Sequence, residues 1–250
     1  LVDRLAAMAK GEKALEVRSQ LASSAGRLAA VDCLRLVAAL CSHDRDSGDV
    51  HIPLLLWWAI ESKFGKNDSE VVAFFEEAEL WKRRIVSEHL AARVIRRFAM
   101  METEAGWAAC VRLFELAPAT DDAKRLVAGF EKAFAGRTLP KLPAGLVRVL
   151  LEAGDASLEL RLRAGEDKAI AKATALLADG GASDSERERI AKVLGEIERP
   201  SVVGPLLGVL EGGGGDSLRG ASLGALGAYE DDRIPAAVLK VLPAMKEGLR

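Results

Sequence analysis

The segment CSHDRDSGDVH, Cys41 to His51, gathers six side chains that can bind a metal: Cys41, His43, Asp44, Asp46, Asp49 and His51. The set mixes soft and hard donors. It departs from an EF-hand calcium loop, because Gly48 stands at position five counted from Asp44 and no bidentate Glu occupies position twelve. The simpler expectation is a solvated loop whose aspartates cap the next helix, with His51 helping that helix start. A second segment, GASLG (Gly220 to Gly224), matches the Gly-x-Ser-x-Gly nucleophile pattern. That chemistry needs a strand-to-helix elbow that exposes the serine, whereas this copy falls inside a helical pattern. A third, WKRRIVSEHLAARVIRRFAM, places His89, Arg93, Arg96 and Arg97 along one helical stripe, with Lys82, Arg83 and Arg84 a turn or two earlier. Such a stripe can meet phosphates. Glu76, Glu77, Glu79, Glu88, Glu102 and Glu104 lie close in sequence, however, and predict a salt-bridged, solvated face. Last, IPLLLWWAI (Ile52 to Ile60) carries no charge and holds adjacent Trp57 and Trp58.

The elements that must position these residues are helices. Among 250 residues there is one Tyr and there are seven Phe, and Ala, Leu, Arg and Glu dominate, a mixture that favours helix over strand. The chain is therefore expected to be all-α, and half of it is hydrophobic, enough to build a core without staples. Cys33, Cys41 and Cys110 are odd in number and sit in helical patterns, so they read as small buried hydrophobes. A net charge of −2 gives no field that steers the whole chain to nucleic acid. No uncharged run approaches the ~20 residues of a membrane span. The ends, LVDRLAAMAK and LPAMKEGLR, read as cut from a longer chain, so the lack of a signal peptide says nothing about compartment.

Self-comparison shows an internal repeat. SERERIAKVLGEI (Ser185 to Ile197) aligns with SLRGASLGALGAY (Ser217 to Tyr229) at an offset of 32, setting Arg187 on Arg219, Leu194 on Leu226 and Gly195 on Gly227. The register continues with Val202 on Ile234, Leu206 on Val238 and Leu210 on Leu242. A third copy, EVRSQLASSAGRL (Glu16 to Leu28), carries Arg18, Ala22, Ala25, Gly26 and Leu28 at the matching places. Periods of this size mean stacked supersecondary units. Each unit reads as two helices around a short connection such as that at Pro200, neither able to bury its apolar stripe alone. Gly195 and Gly227 would permit close helix approach or a left-handed C-terminal residue. The turns GGAS (Gly180 to Ser183) and GGGG (Gly212 to Gly215) fall one repeat apart, with Asp184 or Asp216 as cap and Ser183 with Glu186 as a capping box. Between them and the first copy, helices are expected over 71–81, 85–101, 105–116, 122–134 and 144–152, with a joint near 136–143.

In this scheme the uncharged run behind Pro53 becomes an internal helix of about two and a half turns, packed on both sides. Trp57 and Trp58 are about 100° apart on it and cannot both face one ligand.

The motifs EVRSQLASSAGRL, HIPLLLWWAIE and LRGASLGALGAYEDDRI resemble the HEAT-repeat region of large planctomycete and verrucomicrobial (PVC-type) multidomain proteins. In that family the repeats join a dehydrogenase-like β-propeller to a c-type cytochrome domain carrying Cys-x-x-Cys-His. The resemblance implies an α-solenoid of HEAT-like helical hairpins over residues 1–250, serving as a non-catalytic scaffold or protein-interaction segment of an exported, periplasmic redox protein. Haem c is expected only in a domain outside this segment, which has no Cys-x-x-Cys-His. The implied partners are flanking domains of the same chain or another protein; the residues themselves offer Trp57, Trp58, His89, Arg93, Arg96 and Arg97 as candidate partner or phosphate contacts. The alternative is a nucleic-acid binder similar to the HEAT-like DNA alkylation-repair glycosylases, with that stripe on phosphates. The two separate on whether the arginines line a groove or pair with glutamates.

Overall fold

The computed structural model describes residues 2–135, 137, 139–154, 156–212 and 214–241. All regular structure among them is helical. The chain divides into two compact units, Leu1–Ala156 and Ser157–Arg250. Gly136 and Thr138, within the expected joint at 136–143, lie outside the described residues, as do Gly213 and the aligned Leu242.

The first unit holds α1 (Val2–Gly11), α2 (Leu15–Ala25), α3 (Ala30–Leu40), α4 (Ile52–Glu61), α5 (Asp68–Phe74), α6 (Ala78–Trp81), α7 (Ala91–Ala99), α8 (Glu104–Leu116), α9 (Thr120–Ala133) and α10 (Ala144–Glu152). They pack in two layers. In one, α1 meets α3, α3 meets α5, α5 meets α8 and α8 meets α10. In the other, α2 meets α4, α4 meets a π-helical turn at Val86–Leu90, and α7, which continues that turn, meets α9. Helices adjacent in sequence, such as α2 and α3 or α7 and α8, join the layers. The core is rich in rings, with Phe75, Phe98 and Phe130 fully buried.

The second unit repeats the plan with α11 (Leu158–Arg163), α12 (Asp167–Ala178), α13 (Asp184–Glu196), α14 (Val203–Gly212), α15 (Asp216–Leu226) and α16 (Arg233–Val241). One layer is α11, α13 and α15; the other is α12, α14 and α16. Its core is aliphatic, including Ala173, Leu177, Leu194, Val202, Leu206, Leu210 and Leu226.

Two of the aligned arginines perform the same job, and the third, Arg18, whose Nε is taken by Asp46, performs a variant of it. Arg187 Nε donates to the carbonyl of Leu177 at 3.0 Å, in the last turn of α12, and Arg219 Nε donates to Leu210 at 3.2 Å, in the last turn of α14. Arg18 Nη1 donates to Glu12 at 3.1 Å, just past α1. Each guanidinium thus satisfies a carbonyl that the end of the preceding helix leaves without an intrahelical donor, where a cation is also favoured by the helix dipole.

The glycine alternative resolves as close approach at Gly195 and as neither at Gly227, which has φ −62° and where a Cβ would meet only Gly224 O of its own helix. A Cβ on Gly195 would stand 2.7 Å from Cα of Ala225, so α13 and α15 touch backbone to backbone. Left-handed backbone falls elsewhere: Gly65 after α4 and Gly165 after α11, but Glu102 (φ 50°) after α7 and Glu198 (φ 48°) after α13.

Several local expectations need correction. The segment 71–81 breaks into α5 and α6, and 85–101 opens with the π turn. Ser183 Oγ caps α13 by accepting from Glu186 N at 3.3 Å. Asp184 does not cap its own helix; its Oδ2 accepts from Gly215 N at 2.7 Å and ties α13 to the next repeat.

Candidate functional site

The metal-like cluster Cys41–His51 is a strut. Asp46 is 3 % exposed and pairs two oxygens with Arg18, at 2.6 Å to Nε and 2.7 Å to Nη2, in the fork geometry that suits a guanidinium. That pair and its hydrogen bonds push the Arg18 pKa up. His43 Nε2 lies 2.8 Å from the Ala9 carbonyl. Asp44 accepts from Arg84 N at 3.1 Å. Asp49 Oδ1, not His51, starts α4, accepting from His51 N at 2.9 Å and Ile52 N at 2.8 Å. These two bonds hold the Asp49 carboxyl below its usual range. The expected solvated loop is therefore a partly buried 3₁₀ turn (Asp44–Gly48) whose polar groups anchor α1, α2, α4 and the π turn. Among the described residues no group of three His, Cys, Asp or Glu side chains is arranged to hold a metal.

Ser222 of GASLG is fully buried within α15, its Oγ without a hydrogen-bond partner, so it is not presented to any substrate. The thiols are buried too. Burial pushes Cys33 up to about 11 and Cys41 and Cys110 up to about 12, which keeps them protonated and unreactive at neutral pH.

The tryptophans part company. Trp57 is 9 % exposed and its ring lies 6.2 Å from Phe64, which in turn lies 4.7 Å from Phe98 on α7. Arg97 sits over the Phe64 ring at 5.5 Å. This chain of rings links α4, through Phe64 just past its end, to Phe98 in the last turn of α7, while α4 itself packs on the π turn from which α7 continues. Trp58 is 53 % exposed. It stands at the middle of the outward face of α4, because Ala59 faces Gly26 of α2 and Trp57 faces the α7 side. Half-buried Leu54 and Leu55 flank it one turn earlier.

The basic segment also divides. Lys82 pairs with Glu79 at 2.5 Å, Arg84 with Glu88 at 3.0 Å, and Arg83 reaches Asp44 at 4.0 Å. His89 is engaged through Nε2 by the Ser47 carbonyl at 2.9 Å. Arg93, Arg96 and Arg97, by contrast, form no ion pair among the described residues. Arg93 makes a long bond to the His89 carbonyl at 3.4 Å, and Arg96 Nε is buried without a partner. At 100° per residue all three share the outward face of α7 with Met100, itself 45 % exposed. Arg97 leans toward α4, while Ala92 on the opposite edge meets Gly129 of α9.

Sequence reasoning missed Lys63. It is 7 % exposed, and its Nζ donates to the carbonyls of Gly26 at 2.8 Å and Leu28 at 2.7 Å, closing the end of α2. Its place just past the end of α4, after Glu61 and Ser62, looks like that of any solvated lysine. In the second unit an open groove of about 490 Å³ between α13 and α15 is floored by Gly195, Gly220, Ala221 and Gly224. Its rim charges are engaged within the unit: Lys192 with Glu188 at 2.7 Å, and Arg163 with Glu196 at 2.8 Å.

Comparison of the chain with family models, with curated proteins and with solved structures finds no match to any of them. No helix among the described residues is long and apolar enough to cross a membrane.

Proposed function

We propose that the chain is an α-solenoid of HEAT-like helical hairpins that acts as a non-catalytic scaffold, carried within a larger exported protein of dehydrogenase and cytochrome c type. The observation behind the solenoid is a device repeated at the aligned arginines: Arg187 and Arg219 each close the last turn of the preceding helix through Nε, and Arg18 reaches the carbonyl just past α1 through Nη1. Repeated closure of that kind lets each hairpin depend on its neighbour alone, and arrays so built work by presenting extended surfaces and holding attached domains at a fixed spacing. The buried thiols and Ser222 support a role without chemistry of its own.

Duplicating one 32-residue repeat tests the reading. A second copy of residues 185–216 inserted after Asp216 should leave a folded, more helical protein with the cooperative unfolding of the original. An insertion product that is protease-sensitive and unfolded would refute the repeat array. Expression with cytochrome c maturation factors should give a protein without a Soret band; covalent haem would refute the non-catalytic reading.

One observation favours the nucleic-acid alternative: Arg93, Arg96 and Arg97 lack the glutamate partners that the sequence offers them. On that reading, duplex DNA binds with strong salt dependence and the binding disappears in Arg93→Glu/Arg97→Glu.

A further inference from the structure

We infer that the outward face of α4 and α7 is a docking site for a short acidic peptide segment carrying one large apolar residue, with Trp58 as the apolar contact and Arg93, Arg96 and Arg97 as the carboxylate-binding groups. The inference rests on the scaffold reading and names its partner.

Earlier in the same segment Lys82, Arg83 and Arg84 are each set against a carboxylate. The three arginines of α7 have no such carboxylate partner among the described residues, and each is half-buried, so that its guanidinium is partly desolvated before any partner binds. Guanidinium forks match carboxylates in two-point geometry. Met100 shares their face of α7 and Trp58 stands on the outward face of α4 in the same layer, two exposed apolar side chains where a solvated face would carry polar ones. Tryptophan and arginine together are the residue types that dominate binding energy at protein interfaces. Arg97, held over Phe64, presents its guanidinium from a packed helix.

The face is too short and too mixed for a polyanion. Its unpaired cations span little more than one helical turn, and Glu61 shares the outward side of α4. The whole chain carries −2, so no long-range field gathers nucleic acid. A segment with two or three carboxylates around an apolar anchor satisfies the arginines, covers Trp58, and leaves Glu61 at the rim.

A displayed library of random peptides, panned on the full 250-residue chain, tests this. The expected result is enrichment of sequences with several Asp or Glu beside Trp, Phe, Leu or Met. A synthetic peptide of that consensus should bind the chain with an affinity that falls about tenfold in Trp58→Ala and at least tenfold in Arg93→Glu/Arg97→Glu, weakens with salt, and is unchanged in Lys82→Glu. Circular dichroism identifies any variant that fails to fold, and the single change Arg93→Glu, whose side chain makes only one long bond, replaces the double one in that case. Neutral or basic consensus peptides, or no enrichment at all, overturn the inference. A consensus peptide that binds all variants equally sits elsewhere on the chain; that overturns this face and leaves the docking scaffold standing. Oligonucleotides that bind more tightly than the peptide and are lost in the same variants overturn both.

Discussion

The two units solve the same packing problem with different materials. Every Trp and every Phe of the chain lies at or before Phe134, so the second unit has Tyr229 as its sole aromatic residue. There, helices approach until α13 and α15 touch backbone to backbone at Gly195, and aliphatic side chains fill what remains. The first unit has a comparable contact between α7 and α9 at Gly129, but elsewhere it spaces its helices with rings: Phe75 against Trp81 at 5.3 Å, Phe130 against Phe134 at 5.4 Å, and Trp57, Phe64 and Phe98 in line. It also departs from regular hairpins, with a 3₁₀ strut, a π turn and a buried ion pair. Small residues at fixed spacing impose one geometry and therefore repeat. Irregular spacing leaves gaps of different shapes, which large rings and buried polar groups must fill individually. The same irregularity leaves Trp58 exposed and Arg93, Arg96 and Arg97 without a carboxylate partner among the described residues.

The contrast predicts that damage stays in the unit where it is made. The largest effect is expected from Trp57→Ala, which empties a buried ring site and should cost about 3 to 5 kcal/mol, against a few tenths for Trp58→Ala. Hydrogen exchange should lose protection across α4 and α7 in the first variant and keep it in α13 to α15. Equal loss in both units would mean that they unfold as one body and would break the comparison. Asp46→Ala is expected to be of similar size, about 3 to 5 kcal/mol, because it leaves the Arg18 guanidinium buried without its counter-charge. Its counterpart in the second unit, Arg187→Ala, removes a bond to the Leu177 carbonyl and should cost only about 1 to 3 kcal/mol. Denaturant titration of the two variants ranks them.

The same contrast governs what could be read from the sequence. Helices at 105–116, 144–152 and in the aligned repeats were legible within a residue or two, because their apolar spacing and caps agree. The repeat arginines were legible as a pattern, though not their targets, since a carbonyl leaves no trace in a side-chain sequence. Glu102 and Glu198 occupy left-handed backbone that glycine marks at Gly65 and Gly165, and a glutamate gives no such mark. The loop Cys41–His51 misled because carboxylates and imidazoles that anchor neighbouring helices have the same composition as a metal site. At the candidate site, the 100° helical step separates Trp57 from Trp58, but which one is exposed was not legible, and the outward face of α4 at Trp58 corrects the expectation of a helix packed on both sides. The missing partners of Arg93, Arg96 and Arg97 did not follow, because nearby glutamates in sequence predict pairs that the helix faces do not allow.

A methyl group should sharpen the comparison further. In Gly195→Ala the new Cβ meets Ala225 Cα at 2.7 Å and its Cβ at 2.9 Å, both on a packed helix with little room to shift. Overpacking of this kind costs about 1 to 3 kcal/mol. Gly204→Ala, where a Cβ meets nothing within 4 Å, should be neutral or slightly stabilising by helix propensity. Thermal melts of the pair check both signs.

The smallest effect separates the units by pH. In the first unit α4 is started by a carboxylate, Asp49, and in the second α13 is started by a hydroxyl, Ser183. Loss of either acceptor should cost about 1 kcal/mol, roughly 2 to 4 °C in melting temperature for a chain of this size. Only one of the two losses should depend on pH. The backbone donors of His51 and Ile52 depress the Asp49 pKa in the folded state. Its contribution is therefore complete above the ordinary carboxyl value of about 3.9 and disappears as pH falls through the lower, folded value. The gap in melting temperature between the native chain and Asp49→Ala should stay constant from neutral pH down to about 5 and close below about 4, while the gap for Ser183→Ala stays open. A Ser183→Ala gap that closes in parallel would assign the acid sensitivity to charge elsewhere in the chain, and an Asp49→Ala gap that never closes would remove the carboxylate from the start of α4.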